Sequence, residues 1–153
     1  MQKLTPFLIS GLLVFGAAAC QDPARTSVDA PDTVNASPQA PTAQTTQASK
    51  EDAQSEVRRR QLNADIRARE QRNNATGGDA NRAPADLASE VRSKLEANIP
   101  GGQLTVNAVE NGTVTVAGTV NNQDQLSKIE PLAKEIKGVT AVVNKATVAP
   151  PKS

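Results

Sequence analysis

The chain has 153 residues, a formal net charge of +1, one cysteine, and no histidine, tryptophan or tyrosine. That composition removes the usual general base and the commonest zinc ligand, rules out an intrachain disulfide, and gives no whole-chain attraction for a polyanion. Both phenylalanines, Phe7 and Phe15, fall in the first 15 residues, so any core further on is built from Val, Leu, Ile and Ala, with little bulk to wall a cofactor pocket.

Residues 1–19 read as a signal peptide: Lys3, an apolar run from Leu4 to Phe15, then Gly16-Ala17-Ala18-Ala19 before Cys20. The run is too short to span a bilayer. Two exits are open. Ala17-Ala18-Ala19 suits an ordinary signal peptidase, which gives a soluble secreted form, while the same stretch resembles a bacterial lipobox with Cys20 as the acylated N-terminus, although Ala17 stands where leucine is usual. The lone cysteine sits where a lipobox needs it, and the expectation is lipidation at Cys20 and membrane anchorage through the acyl chains. Gln21 rather than Asp after the cysteine leans toward the outer membrane, with the protein facing the periplasm.

Residues 20–49 are rich in Pro, Thr, Ala, Gln and Ser and lack a hydrophobic period. The expectation is a disordered tether with a span of about 30 Å. Residues 50–73 change to helix formers, with Ser49 as candidate N-cap and i,i+4 pairs Glu56–Arg60 and Asp65–Arg69. Arg58, Arg59, Arg60, Arg67, Arg69 and Arg72 spread around the helix axis, and no groove is evident to receive it. Two readings stand: a solvated charged linker, or contact with anionic lipid, cell-wall polymer or a partner. Arginine without interleaved aromatics gives no nucleic-acid signature. Residues 74–85, with Gly77-Gly78 and Pro84, read as a second linker.

Residues 86–148 carry the folded pattern. Asp86 is a candidate N-cap for a helix with Leu87, Val91, Leu95 and Ile99 at spacing four. Leu104–Val109 and Thr113–Val120 alternate around Asn111-Gly112, the signature of a two-residue type I′ hairpin. Asn121 or Asn122 caps a second helix with Leu126, Ile129, Ala133 and Ile136 on one side, Pro131 inside it as an expected kink, and Gly138 at the C-terminal turn. Val139 to Val148 forms a last strand, with Val142, Ala146 and Val148 on one face. The fold class is α+β: αββαβ, a mixed three-stranded sheet with two helices on its valine face and Thr105, Asn107, Thr113, Thr115, Thr119 and Thr147 exposed on the other. Asn111, Gly112, Gly118 and Gly138 are the structural turn residues, and 149–153 a tail.

Two runs, Gly112-Thr-Val114-Thr-Val116-Ala-Gly118-Thr-Val120 and Ile136-Lys-Gly138-Val139-Thr-Ala-Val142-Val143-Asn144, resemble the BON domain of bacterial envelope proteins. The resemblance implies an αββαβ fold and a phospholipid-binding or membrane-interaction module of osmotic-stress and envelope lipoproteins. Those proteins often carry two copies and touch lipid through helix-borne aromatics. This chain has one copy and no such aromatics, so headgroup or protein contact is expected in place of insertion.

The sequence offers no catalytic constellation: Ser93-Lys94 and Ser127-Lys128 are adjacent, no Ser-x-x-Lys occurs, and no paired carboxylates, metal-ligand cluster or phosphate loop stands out. No enzyme, cofactor, metal, nucleic-acid or small-molecule function is expected. The expectation is an envelope binding module whose candidate contacts to an anionic surface are the six arginines above with Lys128, Lys134 and Lys137. A protein-interaction module recruiting an envelope partner by strand addition is the alternative.

Overall fold

A computed structural model describes residues 23–76 and 82–153. The expectations for the signal peptide, for Cys20 and for Gly77-Gly78 lie outside the described residues. In chain order the elements are β1 (Ala24–Arg25), α1 (Ala43–Gln54), α2 (Glu56–Thr76), α3 (Pro84–Asn98), β2 (Gln103–Ala108), β3 (Thr113–Val120), α4 (Gln123–Lys134) and β4 (Ala141–Val148). The sheet order is β1-β2-β3-β4. β1, β2 and β3 are antiparallel neighbours, and β4 runs parallel to β3 with Thr113 opposite Ala141 and Val120 opposite Val148. The α+β class and the αββαβ order hold, and a fourth strand is added.

The core follows from the two apolar stripes. Pro84 opens α3 at a position whose N–H would be unpaired in any helix, and Asp86 lies in the first turn instead of capping it. Leu87, Val91, Leu95 and Ile99 are buried against Leu104, Val106, Val114, Val116 and Val120. On α4, Asn122 is the cap: its Oδ1 accepts from Gln125 N at 2.9 Å, and Gln125 Oε1 accepts in turn from Asn121 N at 2.9 Å. The helix runs through Pro131 to Lys134. Ile129 and Ala133 enter the core from it and Ile136 from the turn beyond, so that Gly138 (φ +91°) turns the chain after the helix has already ended. Val142 and Ala146 pack on the core, whereas Val148 is left exposed at the end of β4.

The hairpin is not a two-residue type I′ turn. Gly112 N donates to Val109 O at 2.9 Å and Val109 N to Thr113 O at 3.1 Å, which makes a three-residue loop with Gly112 at φ +78°. Asn111 keeps a negative φ, and its Oδ1 accepts from Thr113 N at 3.0 Å. A type I turn followed by a left-handed glycine bulge gives this pattern and needs only one positive φ. Gly118 is not a turn residue. It lies inside β3, where a Cβ would stand 1.9 Å from the Gln103 carbonyl oxygen.

Two expectations for the N-terminal half are corrected. Residues 23–42 lie on the domain, not away from it. β1 adds to the free edge of β2, Thr26 N donates to Leu104 O at 2.8 Å, Leu104 N donates to Thr26 Oγ1 at 2.9 Å, and Thr26 Oγ1 donates to Gly102 O at 2.8 Å. Thr105 donates to Pro31 O across the sheet, and Lys145 reaches Asn35 at 3.0 Å. Thr105 and Thr119 are therefore buried along with Ala117 and Gln103, so the threonine face is covered on its β2–β3 side. Asn107 and Thr147 stay exposed, and Thr113 and Thr115 are half-buried. The tail is also engaged: Ala43 N donates to Lys152 O at 2.8 Å and Lys152 N to Pro41 O at 2.9 Å. Low hydrophobicity argues against ordering by side-chain burial, but this segment is held by main-chain and hydroxyl hydrogen bonds, which composition does not count.

The charged segment is likewise two helices, not one. Thr42 caps α1, accepting from Thr45 N at 3.1 Å, so Ser49 lies mid-helix. Ser55 ends α1, and its Oγ accepts from Arg58 N at 3.1 Å to start α2. A serine at this junction closes one helix and caps the next.

Candidate binding surface and its ion network

α3 presents its apolar stripe to the sheet, and on the opposite side a polar row formed by Asp86, Glu90, Ser93 and Glu96. α2 lies along that row. Arg58 Nε donates to Glu96 at 2.6 Å, and Arg92 binds the second oxygen of Glu96 at 3.0 Å. Asp65 accepts from Ser93 Oγ at 3.0 Å and from Arg69 at 3.0 Å. Arg69 and Arg72 both reach Asp86, at 2.5 and 3.1 Å. Leu62, 2% exposed, is the apolar anchor of α2.

Deepest in this interface is a fully buried group. Glu90 accepts from Arg82 Nη1 at 2.6 Å and, at 3.3 Å, from the Asn73 amide; the two side chains of the ion pair are 0% and 2% exposed. Burial pushes the Glu90 carboxyl above its ordinary range, opposed by the Arg82 hydrogen bond. Arg82 is itself placed by Gly138, where a Cβ would stand 2.6 Å from the arginine Cδ. The hydrogen bond from Arg58 to Glu96 raises the arginine's pKa further and leaves it charged.

The candidate cations thus divide. Arg58, Arg69 and Arg72 are engaged by carboxylates of α3, and Arg60 by Glu56 on its own helix. Arg59 and Arg67 are exposed and form no ion pair among the described residues. Lys134 pairs with Glu130 at 2.7 Å, while Lys128 and Lys137 are exposed. α2 packs chiefly on α3, whereas α4 lies against β4 and α3, so the arginines of α2 and the lysines of α4 and the turn after it form two groups, not one patch. Sequence reasoning missed Asp86, Glu90 and Glu96 as receptors for the arginine-rich helix. Their spacing on the side of α3 opposite the leucines was the available signal.

A cleft of about 330 Å³ lies where the N-terminal segment meets α3 and β2. Pro23, Ala24, Pro84, Ala85, Ala88 and Val106 give it apolar walls, and Asp32, Arg69 and Asn107 stand among its polar lining. No sequence pattern marked it, because its walls come from separate segments. No helix among the described residues is long and apolar enough to cross a membrane, and no group of metal-ligating side chains occurs among them.

Residues 84–150 match the family model of the BON domain. The chain carries a BON domain. The match spans α3 through β4, the part held by the apolar core, and stops short of α1 and α2. BON is a non-enzymatic binding domain family, associated with envelope and osmotic-stress proteins and with phospholipid binding. No curated protein and no solved structure gives a significant match to the chain.

Proposed function

We propose that this protein is a membrane-anchored binding module of the cell envelope that contacts anionic phospholipid headgroups and performs no catalysis. The observation that carries the reading is the BON domain at residues 84–150. The N-terminal sequence supports the location: a signal peptide over residues 1–19, acylation of Cys20 behind it, and a periplasm-facing position on a membrane, the outer one favoured. Pairing of Ala24 with Val106 then gives the anchor a different geometry from a long spacer. Four residues extend at most about 14 Å, so an acylated Cys20 holds the domain against the headgroups. The cations left for such a surface are Arg59, Arg67, Lys128 and Lys137, each contributing at most about 1 kcal/mol near an anionic leaflet.

Flotation of the mature chain carrying Cys20→Ser with vesicles tests this, since the acyl chains are then absent. Binding to anionic vesicles that weakens with salt is expected; no binding to them at low salt contradicts it. A second reading, recruitment of an envelope protein by strand addition, is favoured by one observation. β1 closes the β2 edge, but β4 has a strand on one side only among the described residues, with Val143 and Val148 exposed.

A further inference from the structure

We propose that the cleft between the N-terminal segment, α3 and β2 receives part of one acyl chain borne by Cys20 when the protein is out of the bilayer. This inference rests on the reading of Cys20 as acylated. The cleft's chemistry favours an apolar occupant over a headgroup. Alanine, proline and valine make up most of its walls, with Thr33, Ser89 and Asn107 as neutral polar lining, and the charged groups are already satisfied: Asp32 by Arg25 at 2.7 Å, and Arg69 by Asp65 and Asp86. An anionic headgroup would have to displace the protein's own carboxylates from Arg69.

The size fits a segment of hydrocarbon. A volume of about 330 Å³ is at the lower end of ligand pockets, and apolar cavities of about half that size take up benzene.

Position selects the occupant. The described chain begins at Pro23, and both Pro23 and Ala24 line the cleft. Cys20 is three residues before Pro23, a reach of at most about 11 Å, so a chain on its sulfur is tethered within range of the cleft. Ala24 is fixed by its pairing with Val106, which itself lines the cleft. The anchor and its shelter are therefore held together by the same two-residue strand. Lipid insertion and cleft occupancy compete for one chain, so the cleft lowers the exposure of hydrocarbon to water while the protein is off the membrane.

Every described element lies downstream of Cys20, so the mature chain, residues 20–153, retains the whole fold. Its single thiol can be alkylated in solution with a dodecyl or, as a control, a methyl group. The dodecyl form is expected to shift the backbone amide resonances of Ala24, Ala85, Ala88 and Val106 relative to the methyl form while the protein stays monomeric. Ala85→Trp adds an indole at an exposed position of the cleft lining; in it the shifts at Ala24, Ala88 and Val106 are lost and the remaining spectrum is kept. Identical spectra for the two alkylated forms, or shifts that persist unchanged in Ala85→Trp, overturn the inference. The intact mass of the protein taken from membranes separates the two levels. An acylated Cys20 with no response in the cleft leaves the anchor standing and removes the shelter; an unmodified Cys20 removes the anchor and, with it, the chain the cleft would hold.

Discussion

On one side of α3, Leu87, Val91, Leu95 and Ile99 meet the valines of the sheet; on the other, Asp86, Glu90, Ser93 and Glu96 meet the arginines, Asp65 and Asn73 of α2 and Arg82 of the segment before α3. The same helix is thus held by two kinds of chemistry whose energetics differ. Each large apolar side chain buried on the sheet side contributes about 1.5–3 kcal/mol, is indifferent to salt and tolerates similar shapes. The half-exposed ion pairs of the other side contribute about 0–1 kcal/mol each and are screened. The buried Glu90–Arg82 pair repays little more than its own desolvation, yet is costly to break. The sheet side therefore supplies most of the stability, and the ionic side decides which segment docks and in which register. The BON match ends where the chemistry changes: it includes α3 with both its faces but not the helix that covers the charged one.

The largest effects are expected at the most deeply buried side chains of the two faces. Glu90→Ala breaks a fully buried ion pair that the Asn73 amide also joins and is expected to cost about 3–5 kcal/mol. Leu95→Ala, on the sheet side, is expected to cost about 2–5 kcal/mol through lost burial and a residual cavity. Urea unfolding measures both. Salt leaves both losses nearly unchanged, because neither site is open to screening. Next in size is Arg69→Ala, which removes the link between Asp65 and Asp86. Its two half-exposed pairs, at up to about 1 kcal/mol each, imply a loss of up to about 2 kcal/mol at low ionic strength, and this loss shrinks as salt is added. Smallest is the pair Arg59→Ala and Arg67→Ala, expected to stay within about 0.5 kcal/mol of the parent while weakening flotation with anionic vesicles.

A pH series sharpens the same contrast. Burial raises the carboxyl of Glu90 in the folded state, above the value near 4.3 of an unfolded glutamate. Between those two values the native state holds more protons than the unfolded state, so this group's contribution to stability declines as pH rises through that interval and levels off above it. Melting curves for the parent and Glu90→Gln, compared from about pH 4 upward, should show the parent's relative stability falling with rising pH. A flat difference would show that Glu90 is not buried in the way described.

What was legible in the sequence was what burial writes into periodicity. The stripes of α3 and α4, the alternation in β2 and β3, a cap at Asn121 or Asn122 and the order αββαβ all follow from apolar spacing and from side chains that compete for the backbone. The turn type was missed because Asn111-Gly112 fits both a two-residue and a three-residue loop, and the Val109–Thr113 pairing selects the longer one. The place of the arginine helix was missed for a physical reason: its partner surface is a row of carboxylates, which writes no apolar stripe into either helix. β1 was invisible because two residues carry no period, and main-chain pairing is nearly independent of side-chain identity. The candidate cations were individually legible, but which of them were already spent on Asp86 and Glu96 required the packing of α2 on α3.

α2, rich in arginine and outside the BON match, is a folded part of this protein held by the charged face of α3. Amide hydrogen exchange of the mature chain at low and high salt tests it most directly. Protection of the 58–73 amides at low salt, lost on raising salt before protection in β2, β3 and β4 is affected, is the predicted result. Free-chain exchange of those amides at low salt, with the sheet still protected, would contradict it.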